Sequence, residues 1–333
     1  MLFGDMLAIT VLGYHQDFEK STHVFKRMRA SPMPRSLVIP RSLVGVALSL
    51  SAVIFGVLTG ILVKKLSPDV TLVTTLFYRF LFSLPILFAV AIYSRGRAWL
   101  QINQRKTMCL RVVFGFCGIM FWFLSLRNMP FGLATTLFQS SVIFITLMSP
   151  FLLGEKVGIY RWSAVIAGLS GVVIITNPFS GTMTAAVLYG VGAALAGAVL
   201  SILLRRLGKK DSPISVACWY NASGFVALSV IVLIVPSQFH AVSQPVLMDL
   251  IFLGVIGAGM QIVLTSAYRY SDAVVVASMR YLQMPLSGVV GYVVFAETMS
   301  VKEIFGALVI ISSCLVIARR ELVRAREVNQ PGI

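Results

Sequence analysis

Acidic residues are scarce in this chain. It has 12 Asp and Glu against 28 Lys and Arg, and no carboxylate lies near the middle of a long apolar stretch. That excludes proton relay through a mid-membrane carboxylate, and it excludes an intramembrane aspartyl pair. Histidine is scarcer still. His15, His23 and His240 all fall outside the apolar stretches, so neither a metal centre nor a Ser/His couple can be built inside them. Cys109, Cys117, Cys218 and Cys314 are scattered through apolar runs without a CxxC or Cys/His pattern and read as packed thiols. The sequence has no P-loop and no GxSxG, which removes an ATP-driven pump and that class of hydrolase. What remains is not an enzyme and needs neither cofactor nor metal.

Apolar residues, by contrast, are abundant. They make up 58% of the chain, charged residues only 12%, and mean hydropathy is +0.90. A hydrocarbon core about 30 Å thick needs about 20 apolar residues per helix. Runs of that kind lie near 42–63, 70–94, 108–126, 131–152, 160–177, 183–204, 214–235, 247–267, 273–295 and 301–318. The expected fold is therefore an all-α integral membrane protein of ten transmembrane helices. Alternating strands of a membrane barrel are missing. Residues 1–41, mixed in charge and carrying Pro32, Pro34 and Pro40, read as a poorly ordered cytoplasmic leader, with Met28 and Met33 as alternative starts. Residues 321–333 read as a short cytoplasmic tail.

The net charge of +16 would suit a nucleic-acid partner, but its distribution explains it otherwise. With residue 1 in the cytoplasm, 22 of the 28 basic residues fall on the cytoplasmic side. The positive-inside rule then puts both termini there, in a cell (inner or plasma) membrane, and no nucleic acid is needed. Lys64 and Lys65 run against the trend and read as snorkelling from a helix end.

The chain also resembles itself. A slide of 142 residues brings Tyr78 onto Tyr220, Gly115 onto Gly257, Arg127 onto Arg269, Glu155 onto Glu297 and Arg79 onto Asn221. Allowing a slip of three aligns Gly45 with Gly190 and KKLSP (64–68) with KKDSP (209–213). The units are 42–177 and 183–320, with five helices each. Five is odd, so the second unit enters the membrane from the opposite face. Such inverted repeats let a carrier expose one midplane site alternately to either side. Gly56 with Gly60, Gly115 with Gly118, and Gly254, Gly257 and Gly259 suit close helix contact.

The stretch 110–178 resembles the EamA branch of the drug/metabolite transporter superfamily. The resemblance rests on Arg111 opening the third helix, SLRNMP (125–130) turning into the fourth, and LGE (153–155) ending it. Residues 267–300 repeat the unit, with Tyr268, Arg269 and Tyr270, then Pro285, then FAE (295–297). The resemblance spans about 42–320. It implies ten helices in two repeats and the movement of small organic solutes. One departure is Ile143, where the family's fourth helix usually carries a proline; this puts the bend of that helix in question.

Three arginines, Arg79, Arg111 and Arg280, sit in apolar runs that contain no carboxylate. Intramembrane charge is costly and faces a bundle interior or a wet cavity. Arg79 and Arg280 are the expected anchors for an anionic group on the substrate. Gln139, Asn221, Gln261 and Gln283 are amides that must find partners in hydrocarbon, from the pathway or from neighbouring helices. Tyr78, Tyr281 and Trp219 could stack on a planar substrate. Arg111, near the cytoplasmic face, and Glu155 and Glu297, at matching helix ends, read as gate or structural residues. Without a proton-carrying carboxylate, a facilitator is the simplest carrier. A lipid flippase and a non-transporting partner subunit are the alternative readings. The expected partners are a small-molecule substrate and membrane lipid, with a homodimer left open.

Overall fold

The computed structural model describes residues 41–153, 158–176, 185–208, 210–240, 242–270, 276 and 279–329. The expected leader (1–41), Arg41 apart, and the tail beyond residue 329 lie outside them, as does Glu155. The described chain is helical, with no strand among the described residues. Its helices are α1 Arg41–Leu66, α2 Leu72–Arg95, α3 Arg105–Asn128, α4 Phe131–Gln139, α5 Ser141–Leu153, α6 Ile159–Thr176, α7 Ala185–Leu207, α8 Pro213–Ile234, α9 Gln244–Tyr270, α10 Gln283–Phe295 and α11 Val301–Asn329. Seven segments among the described residues are long and apolar enough to cross a membrane, while Trp162–Thr176 and Gln283–Phe295 are apolar but shorter. The protein is thus a multi-pass helical membrane protein.

Helix ends follow local chemistry. Thr71 caps α2 by accepting the Thr74 N–H at 3.2 Å. Pro213 opens α8, where its missing N–H is no loss. Ser300 and Glu303 form a reciprocal capping box at α11, with distances of 2.7 and 3.3 Å. Ala296, with φ of 52°, ends α10 in the left-handed region.

Packing respects the repeat. α1 lies against α9, and its repeat equivalent α7 lies against α3. α2 packs on α8 and α6 on α11, so each of these pairs joins equivalent helices of the two units, while α4 packs on α10, the equivalent of α5. The loops obey the same exchange. At one end, Thr71 and Thr74 donate to the Gln238 carbonyl at 2.5 and 3.1 Å. At the other end, Asp211 accepts the backbone N–H groups of Asn103 and Gln104 at 2.6 and 3.3 Å. The first contact joins the α1–α2 and α8–α9 loops. The second joins the α7–α8 and α2–α3 loops, their repeat equivalents.

The segment 131–152, expected as one helix, is interrupted at Ser140. No proline marks the break. The Ser140 N–H bonds to the Thr136 and Leu137 carbonyls, both at 3.1 Å, and the Ile143 N–H reaches back only three residues, to Ser140. The Ser140 hydroxyl takes up the Leu137 carbonyl as well, at 2.6 Å. A serine that competes for backbone acceptors thus does what the family's proline would do. The second unit breaks at the equivalent residue. Before α10, the Leu282 N–H bonds to Met279 O and the Met284 N–H to Tyr281 O, the tighter i→i+3 pattern.

Candidate functional site

The two helix breaks meet. Gln139, the last residue of α4, donates from Nε2 to the Arg280 carbonyl at 2.7 Å. Its Oε1 accepts from Arg280 Nη2 at 3.2 Å. The Arg280 guanidinium also lies 5.9 Å from the centre of the Phe138 ring. Two residues singled out separately in the sequence therefore form one cross-repeat tie, and the guanidinium of Arg280 is partly used by it. Gln283 is buried nearby in sequence, with its amide against Gly56 of α1.

Arg79 belongs to a second centre. It is 4% exposed, and among the described residues nothing accepts a hydrogen bond from its Nε or Nη1. The side chain runs past Gly257 of α9, where an added Cβ would lie 3.4 Å from Nε. Ser83, one turn on, lies 2.7 Å from the carbonyl oxygens of both Arg79 and Gly254, fixing α2 against α9.

Arg111 joins it. Rather than snorkelling to the surface, Arg111 is 2% exposed and runs forward along α3 onto Gly115. Its guanidinium carbon sits 4.0 Å from the centre of the Tyr220 ring, and the Tyr220 hydroxyl donates to Gly115 O at 3.1 Å. Arg111 Nη2 reaches Gln261 Oε1 at 3.4 Å, while Nε and Nη1 have no acceptor among the described residues. Gly257, beside Arg79, and Gln261, beside Arg111, are one turn apart on α9. The two guanidinium groups are thus neighbours on one face of α9, and their like charges repel.

Sequence did carry one signal for this centre. Gly115 and Gly257, equivalent under the slide of 142 residues, flank the two arginines, Gly115 beside Arg111 and Gly257 beside Arg79. Read from sequence they indicate close helix packing only. The space a side chain would fill is taken by Arg111 and Tyr220 in one case and by Arg79 and Ser83 in the other.

The remaining candidates are placed more simply. Asn221 is fully buried on α8, with Nδ2 bonded to its own helix at Ala217 O. Tyr281 is buried in the main hydrophobic core. Tyr78 is half-buried and stacks with Phe82 and Phe239 at 5.7 and 5.8 Å. Trp219 is 41% exposed and donates from Nε1 to Leu100 O at 3.0 Å, so it faces outward from the bundle. Trp219→Phe should leave ligand affinity within about twofold of the original and remove one hydrogen bond, about 1 kcal/mol of stability. A titration of any ligand found for the protein checks this.

Glu297 lies at the end of the bundle where α1 finishes. It pairs with Lys64 and accepts the Phe131 N–H at 2.6 Å, the first residue of α4. Lys64 also donates to Met129 O at 2.7 Å and to Leu126 O at 3.3 Å. Lys65 pairs with Asp249 of α9 at 2.8 Å. The two lysines that break the charge trend are therefore held by carboxylates.

The EamA-like transporter family model matches residues 43–177 and again 184–319. The chain belongs to that family. Family membership places it in the drug/metabolite transporter superfamily. An S-adenosylmethionine uptake transporter of Rickettsia felis is 29% identical over 246 residues, covering 74% of this chain and 82% of that protein. A riboflavin transporter of Rhizobium johnstonii is 30% identical over 255 residues, covering 75% and 80%. Another riboflavin transporter, from Vibrio cholerae, is 30% identical over 231 residues, covering 69% and 77%. A solved crystal structure aligns with a TM-score of 0.61 at 16% identity, over 88% of this chain and 100% of the other, and shares the fold.

Proposed function

We propose that this EamA-family protein carries a small organic metabolite with an anionic group across a cell membrane by alternating access. Two inverted five-helix repeats, ten spans in all, rock around the polar centre of the bundle, with both termini cytoplasmic. The observation that carries the anionic reading is a pair of buried arginines, Arg79 and Arg111, whose Nε and Nη1 atoms have no acceptor among the described residues. A buried guanidinium stays charged, and leaving it without a counter-charge costs several kcal/mol. Among the described residues no carboxylate pairs with either arginine, so the substrate is the natural counter-charge.

Aromatic rings around the arginines favour a planar partner for the anion. Phe80 and Tyr220 meet edge to face at 5.5 Å, and Phe80 stacks with Phe116 at 6.3 Å. S-adenosylmethionine, named for one group of relatives, combines an adenine ring with a carboxylate. Riboflavin, named for another, is planar but uncharged, and its 5′-phosphate adds the anion.

The test compares each molecule with a partner differing in the anionic group, using S-adenosylmethionine against its decarboxylated form and riboflavin 5′-phosphate against riboflavin. Labelled uptake into proteoliposomes gives transport. Thermal shift gives binding, since a ligand at about 100 times its dissociation constant adds about 2.7 kcal/mol. The anionic member of a pair should bind about tenfold or more tightly, a difference of about 1.4 kcal/mol. Equal binding within both pairs sinks the anionic requirement. Binding without movement sinks the carrier reading.

A further inference from the structure

We propose that Arg79 and Arg111 together form one seat for a single oxyanion, a carboxylate or phosphate, and that Arg280 is no part of it. This rests on the anionic-substrate reading and assigns its anchor. The two side chains come from α2 and α3, yet both converge on one face of α9, beside Gly257 and Gln261. Each leaves Nε and Nη1 buried without an acceptor among the described residues. Together they present four buried, unmatched nitrogens beside residues one helical turn apart on α9. Water could accept those hydrogens but would leave two like charges facing each other. One oxyanion satisfies the donors and offsets the charges together, because guanidinium groups match carboxylate and phosphate geometry.

Tyr220 positions the seat. Its ring lies against the Arg111 guanidinium, and its hydroxyl is committed to Gly115 O. Arg111 is thereby held folded inward rather than extended to the membrane face. Arg280 also leaves Nε without an acceptor among the described residues, but it lies at the other centre, where Gln139 bonds both its backbone carbonyl and its Nη2.

The two like charges repel, and an anionic ligand relieves that repulsion. The full-length protein and its R79Q, R111Q and R280Q variants are therefore melted in detergent against millimolar benzoate, inorganic phosphate and benzamide. Benzamide matches benzoate in shape without the charge. The original protein should be stabilised saturably by benzoate or phosphate and not by benzamide. The midpoint concentration should rise about tenfold or more in both R79Q and R111Q, and stay within about twofold in R280Q. Without ligand, R79Q and R111Q should melt no lower than the original, because each removes one of two repelling charges.

Lower ligand-free melting in both variants, with the benzoate and phosphate effects intact, overturns the seat and makes the pair structural. Loss of the effect in R280Q with retention in R111Q also overturns it, while the anionic reading stands. Equal stabilisation by benzamide, or none by either anion, overturns both. If the Gln variants do not fold, R79K and R111K keep the charge and lose the planar fork. They should weaken the benzoate or phosphate effect about tenfold, and unchanged binding in both again overturns the seat.

Discussion

Glu297→Ala should destabilise the protein by about 3 kcal/mol, more than loss of any other carboxylate described here. Three roles meet on this side chain. It neutralises Lys64, and both side chains are only 16% exposed. It accepts the N–H of Phe131 at the start of α4, one of the orphan donors of a helix terminus. It also joins α10 of the second repeat to α1 and α4 of the first. Removing it leaves Lys64 with the Met129 and Leu126 carbonyls but no counter-charge. Glu297→Gln keeps an acceptor for Phe131 and should lose about half as much, since only the ion pair is gone. Thermal melts in a mild detergent measure both, and a double-mutant cycle with Lys64→Met should give a coupling of about 2 kcal/mol. A loss below about 0.5 kcal/mol for Glu297→Ala would mean the pair is a surface ion pair of little worth. Under the proposed alternating-access cycle this end opens, and the Lys64–Glu297 pair is the contact that would have to separate. Glu297→Gln should accordingly raise the labelling rate of a thiol placed beneath it.

The helices were legible in the sequence because membrane-length apolar runs leave the backbone no alternative to internal hydrogen bonding. The EamA resemblance was legible too, through Arg111, the turn before Phe131 and the Glu297 motif. The break at Ser140 was not. Proline announces a kink by its missing N–H, whereas a serine hydroxyl also bonds an i−4 carbonyl inside unbroken helices, as Ser49, Ser83 and Ser201 do here, so Ser140 gave no signal. The site was legible by residue type but not by partner. Arg79, Arg111, Arg280 and Gln139 all stand out as polar groups in hydrocarbon. Which of them meet depends on how α2, α3, α8 and α9 cross, and on Arg111 folding inward along its helix. Trp219 shows the converse limit, because helix rotation alone turned an apparent pathway residue toward the outside.

Gly132→Val should cost about 3 kcal/mol and lower transport more than stability, whereas Gly288→Ala should be neutral or slightly stabilising. The two glycines face the same crossing of α4 and α10 but meet different surroundings. A Cβ added at Gly132 would lie 2.8 Å from Gly288 Cα and 3.3 Å from its nitrogen. Backbone cannot rotate away as a side chain can, so α4 must shift. A Cβ at Gly288 meets nothing within 4 Å, and alanine there gains helix propensity of up to about 1 kcal/mol. The shift forced at Gly132 propagates to function because Gln139 lies seven residues, two turns, further along the same stripe of α4. Moving that stripe away from α10 stretches the Gln139–Arg280 tie, where both repeat breaks meet. Melting curves separate the two substitutions, and uptake by the surviving folded fraction reads the tie. If Gly288→Ala proved as damaging as Gly132→Val, the crossing would be symmetric, and the close approach would not belong to Gly132 alone.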